Sequence, residues 1–288
     1  MKKIKNNWLI LLFLMFTFPL PAEEGMWLLP WLDQKQLDAM HRAGLTLSRE
    51  DLYAINRRGI KDAIVIFDRG CTGSIISRDG LILTNHHCGY DAVRALSSET
   101  NHLLEEGFWS QSFEEEIPAP GVTATFLVEV RDVTQRILSE TDTITDPAIH
   151  AAILDALYYE IATEAIKGTP YEAEVAEFFE GSQYLLMIYS VYKDIRLVAT
   201  PPASIGKFGG ETDNWSWPRH TGDFALFRIY TDPQGRPSQF HQENVPLRPY
   251  YVLPISDKGY REGDFAMTMG YPGSTQRYIT SFETLEIM

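Results

Sequence analysis

The chain has 288 residues and a formal net charge of −14. That balance argues against a nucleic-acid partner, and no basic run contradicts it. The length suffices for a substantial core in one large or two small domains, and no internal repeat or low-complexity segment is present.

In chain order, Met1–Lys5 is basic, Trp8–Phe18 is an apolar run at the short limit for a membrane span, and Pro19–Ala22 ends on a small residue. This pattern predicts a secretory signal peptide over residues 1–22, with a retained anchor as the alternative. Cleavage after Ala22 would leave 266 residues, three lysines fewer and a net charge near −17, with no later run able to cross a membrane. Short helices are predicted over Gln34–Met40 and Arg49–Ile55, the second with Ser48 as N-cap. Ala63–Phe67 reads as a strand. Ser74–Ser77 and Leu81–Thr84 follow as a hairpin about the turn Arg78-Asp79-Gly80. Val122–Val130 is a further strand.

The period then changes. Asp146-Pro147 is a helix start, and Ile149, Ile153, Leu157 and Ile161 recur every four residues on one helical face. Pro170 is read as opening a second helix that Gly181 closes. Strands are expected again at Tyr184–Tyr192, Phe224–Tyr230, Tyr251–Leu253 and Phe265–Met269. The expected fold is mainly β, with a two-helix insertion over about 146–180.

Cys71 opens the hairpin, and Thr84-Asn85-His86-His87-Cys88 closes it. The stretch resembles the histidine loop of chymotrypsin-fold serine peptidases. The resemblance implies a chymotrypsin-like double β-barrel, His87 as general base and a Cys71–Cys88 disulfide. Export would allow such a bond to persist, and the hairpin returns the two ends to each other; two buried thiols are the alternative. Neighbouring strand residues face opposite ways, so only one of His86 and His87 could serve. The match to the His-Cys pair selects His87. A zinc site from His86, His87 and Cys88 is disfavoured because their side chains diverge and no second ligand cluster exists, so no metal or other cofactor is expected. His41, His102, His150, His220 and His241 read as surface or packing residues.

Asp223 stands immediately before Phe224–Tyr230, as the family's aspartate stands before its strand. Alone, an Asp in that position is most often a turn residue. With His87 upstream it fits the carboxylate that orients the imidazole and stabilises its protonated form.

A larger set of segments resembles the family S46 dipeptidyl-peptidases of bacteria across essentially the whole mature chain. The set comprises Glu24–Leu29, Thr84–Tyr90, Gly206–Gly210, Asp213–Asp223 and Gly270–Gly273. The resemblance implies release of dipeptides from oligopeptides with a free N-terminus. Asn214 would accept a hydrogen bond from the substrate ammonium, and Trp215 would wall that pocket. It further implies a homodimer and a place in the periplasm or on the outer surface of a Gram-negative cell. The family's nucleophile lies in a Gly-x-Ser-Gly setting, and residues 1–288 contain none. Ser274 corresponds to a loop well before the nucleophile. The expectation is therefore that 23–288 is the N-terminal part of a peptidase domain, inactive and poorly stable alone, with the serine and a helical domain beyond Met288. A peptide-binding remnant and a chymotrypsin-fold endopeptidase are the alternatives.

Overall fold

The computed structural model describes residues 27–54, 58–179, 181–209, 220–273 and 280–282. The region read as a signal peptide lies outside them. The described residues form an antiparallel sheet of eleven strands with several helices packed on it. The strands are β1 (Ile64–Phe67), β2 (Cys71–Ile75), β3 (Leu81–Thr84), β4 (Phe108–Trp109), β5 (Ile117–Pro118), β6 (Ala124–Asp132), β7 (Glu172–Phe178), β8 (Gln183–Tyr192), β9 (Asp194–Thr200), β10 (Ala225–Thr231) and β11 (Val245–Pro246). Their order is β4-β9-β10-β3-β2-β1-β6-β8-β7, with β11 on β10 and β5 on β9.

The main core lies over the centre of this sheet. Phe67 of β1 and Phe227 of β10 are fully buried with ring centroids 4.8 Å apart, among Val65, Ile75, Ile82, Leu197 and Ile229. Alternation along the short strands points these side chains to one face.

Two helices precede β1: α1 (Gln34–Arg42) and α2 (Arg49–Leu52). Each starts on a capping box, Asp33 with Gln36 and Ser48 with Asp51, which occupies N–H groups that the first turn leaves unpaired. Their apolar residues form a separate small core that takes in Phe265 and Met269. Phe265–Met269 is thus apolar for packing, but it is irregular where a strand was expected. Tyr251–Leu253 departs in the same way. It packs on the main core, and Leu253 donates one backbone bond to Ile75, without pairing as a strand.

The insertion also differs from expectation. After α3 (His86–Leu96), α4 (Leu103–Glu106) and β6, the helices are α5 (Thr134–Thr141) and α6 (Pro147–Ile166). Asp146 caps α6 by accepting from the N–H groups of Ala148 and Ile149. Leu157 and Ile161 of the four-residue series are buried against Tyr184, Leu186 and Ile188 of β8, whereas Ile149 at the first turn is exposed. The second helix expected from Pro170 is strand β7, paired residue for residue with β8 from Glu172↔Tyr189 to Phe178↔Gln183. Gly181, at φ +80°, turns the chain between these strands instead of closing a helix. Paired to β8, the segment buries Ala173 and Val175 in part against the helices.

Candidate active site

β3 and β10 are neighbours, with Thr84 opposite Ala225. This register brings the end of β3 beside the start of β10, and so joins residues 85–87 to Asp223 across a long sequence separation. The chain does not continue as a strand after Thr84. Asn85 is extended at φ −82°, ψ 152°, and helix α3 begins at His86. His87 therefore sits on the first turn of a helix, where the sequence had placed it at a strand end.

His87 and Asp223 meet twice. The ring Nδ1 of His87 lies 2.7 Å from Oδ2 of Asp223, and the His87 backbone N–H donates to Oδ1 at 3.0 Å. The carboxylate thus caps α3 from the remote segment before β10, where an anion is favoured by the unpaired N–H groups and the helix dipole. With Nδ1–H donated to Asp223, Nε2 carries the lone pair of a side chain that is 65% exposed. Such an imidazole can take a proton from a nucleophile placed beside it.

The disulfide ties the first residue of β2 to the first turn of α3: Cys71 and Cys88 are bonded, with Cα atoms 6.0 Å apart. Cys71, His87 and Cys88 bring their donor atoms within 4.8 Å of one another, but the bond consumes both sulfurs as thiolate ligands.

His86 turns the other way and is 1% exposed. Its ring lies edge-on to Tyr90 and packs closely on Gly206 of α7 (Ala203–Gly206), where a Cβ would fall 2.4 Å from the imidazole. Neither ring nitrogen has a hydrogen-bond partner among the described residues. Burial pushes its pKa below the ordinary value. Asp223 opposes that shift, while His87 and Lys207 add to it. The α7 turn also holds the approach to Asp223, since Gly222 N–H donates to the Ile205 carbonyl at 2.9 Å and the Thr221 hydroxyl to that of Phe208 at 2.8 Å. Beneath the site, Gly89 lets α3 lie on Phe227, whose ring a Cβ would meet at 2.9 Å.

Of the residues predicted for the site, the structure brings together His87, Asp223, Cys71 and Cys88. Asn214 and Trp215 lie outside the described residues, as does Ser274. Sequence reasoning passed over Asn85, whose side-chain N–H groups donate to the Asp223 carbonyl at 3.1 Å and to Oδ2 at 3.3 Å. Asn is a favoured N-cap, and Asn85 ahead of His86–Leu96 was a readable helix start. The cradle at Gly206 gave no local signal.

A mainly antiparallel β protein thus sets an exposed histidine on a carboxylate beside a disulfide, a pairing that fixes the imidazole and leaves its other nitrogen open. Residues 22–288 match the family model for Peptidase S46, and the chain belongs to that family. It is 46% identical over 297 aligned residues to dipeptidyl-peptidase 7 of Phocaeicola vulgatus, covering 100% of this chain and 41% of the relative. It is 44% identical over 263 residues to the Asp/Glu-specific dipeptidyl-peptidase of Capnocytophaga gingivalis, covering 91% of this chain and 37% of that one. Among solved structures, Porphyromonas endodontalis DPP11 in complex with the dipeptide Arg-Asp superposes with a TM-score of 0.84 at 42% identity, covering 92% of this chain and 39% of that chain. The chain thus spans about two-fifths of the length of the relatives it matches.

Proposed function

We propose that this chain is the N-terminal part of an exported serine dipeptidyl-peptidase, with His87 as general base and Asp223 as the carboxylate that orients it. The 2.7 Å contact between His87 Nδ1 and Asp223 carries this reading. A serine hydroxyl is a weak nucleophile until its proton is removed. Nε2 of His87 takes that proton as the serine attacks the scissile carbonyl, and later returns it to the leaving amine. Asp223 stabilises the imidazolium that exists between the two transfers. The serine is placed in the sequence beyond Met288, because residues 1–288 hold no Gly-x-Ser-Gly segment. The second β-barrel of a chymotrypsin-like domain would be completed there.

Asn214 is assigned to the substrate ammonium and Trp215 to the wall beside it, which restricts the enzyme to oligopeptides with a free N-terminus. The relatives named for dipeptidyl-peptidase activity support this substrate class. A homodimer and a periplasmic or outer-surface location belong to the same reading, the latter resting on the pattern of residues 1–22.

The test is made on the full reading frame. A fluorophosphonate should label a serine downstream of residue 288, and His87→Ala should lower kcat/KM on dipeptide-releasing substrates by about a thousandfold or more. Equal cleavage of N-terminally blocked peptides would point to an endopeptidase instead. A mature protein that ends at Met288, binds peptides and takes no label would be the non-catalytic remnant.

A further inference from the structure

We propose that Asn85 is a positioning residue that clamps the Asp223 carboxylate for His87. The inference rests on the catalytic reading above. Asn85 occupies the N-cap of α3, where an Asn side chain ordinarily accepts a hydrogen bond from a first-turn N–H. Here its side chain makes no such bond. Its amide instead donates to both the backbone carbonyl and Oδ2 of Asp223, at 3.1 and 3.3 Å.

The cap that Asn85 gives up is supplied from outside the helix, because Asp223 Oδ1 accepts the His87 backbone N–H. The two side chains have thus exchanged duties. Asp223 holds the helix end, and Asn85 holds Asp223. The arrangement matters because a carboxylate has one soft torsion. Rotation about it would move Oδ2 away from Nδ1 and free the imidazole to change tautomer. Bonds to His87 N–H on one oxygen and to Asn85 and His87 Nδ1 on the other oppose that rotation. Anchoring the Asp223 carbonyl as well fixes the backbone from which the carboxylate hangs. A hydrogen bond to a charged group is among the stronger ones available.

Asn85 is exposed and caps nothing, so its replacement should leave the fold intact. In the full-length protein, Asn85→Ala should lower kcat by about tenfold, as expected for one hydrogen bond to a charged group, with KM within about twofold. Asn85→Asp keeps the shape but sets a second carboxylate against Oδ2, and should cost more than Ala. The thermal midpoint of Asn85→Ala should match the parent. A crystal structure of Asn85→Ala should show the Asp223 carboxylate rotated from its His87 contact.

An unchanged kcat overturns the proposal, as does a loss of activity matched by a fall in the midpoint, which would make Asn85 merely structural. If the parent protein cleaves no peptide, the catalytic reading fails and the crystal structure alone decides. A carboxylate that stays in place then sinks the clamp, and a rotated one upholds it as a property of the fold.

Discussion

At the residue scale, two adjacent histidines have opposite fates. His87 is exposed and held by a carboxylate, while His86 is buried, with neither ring nitrogen partnered among the described residues. The depressed pKa of His86 has a definite consequence. The unfolded chain takes up a proton near the ordinary histidine value of about 6.5, whereas the folded protein resists doing so. Between the two values the unfolded state binds more protons, and stability falls as the pH falls. Above that window the group is neutral in both states and contributes no slope. Urea unfolding at about pH 7.5 and about pH 5.5 checks this. His86→Leu should lose less stability on acidification than the parent, and equal losses would refute the assignment. The match to a known His-Cys pair selected His87, and His87 is the one that meets Asp223. The burial of His86 was not legible, because it depends on Gly206, more than a hundred residues away, leaving room for the ring.

Local signals were sufficient for some elements and insufficient for others. Capping at Ser48 and Asp146 and the hairpin about Arg78-Asp79-Gly80 depend on a few neighbouring residues and appear as expected, although the first hairpin strand runs over Cys71–Ile75 where Ser74–Ser77 was expected. β7 was misread because Pro170 and Gly181 fit a helix start and stop as well as a strand end and a turn. The pairing with β8 decided between them. β9 was not foreseen, and neither was α3, whose first turn carries His87. That turn is held by Asp223 on one side and by the disulfide on the other. Closing a loop of 17 residues is worth about 3 kcal/mol through the entropy of the unfolded chain. Cys71→Ser together with Cys88→Ser should lower the unfolding free energy by about that amount, read from urea curves. The parent should respond to dithiothreitol and the double variant should not.

At the scale of the whole molecule, the sheet is cross-braced by buried polar groups as well as by its core. Glu116 and Arg228 are 5% and 9% exposed and meet at 2.8 Å, and the Tyr230 hydroxyl donates to the other Glu116 oxygen at 2.8 Å. Burial and this carboxylate together push the Tyr230 phenol above its ordinary range. Arg228 also donates to the Asp79 carbonyl, so one guanidinium joins β10, the turn of the hairpin and the segment before β5. Glu116→Ala should cost about 3–5 kcal/mol, because it leaves a buried cation without its partner. Replacing both, Glu116→Leu with Arg228→Met, should cost clearly less. Chemical denaturation of both variants decides this, and a double variant as unstable as the single one would count against the bracing.

The mainly β character, the hairpin, two helix starts and the pairing of His87 with Asp223 were legible in the chain alone. Each of these is written in residues close together or in motifs whose order along the chain is sufficient. Long-range packing set the rest: Asp223 caps the helix bearing His87, Asn85 bonds to Asp223, His86 is buried and the segment after Pro170 is a strand. These outcomes depend on the pairing of β3 with β10 and of β7 with β8. Backbone hydrogen bonds between distant segments, and the space left by a remote glycine, have no local trace in the chain that forms them.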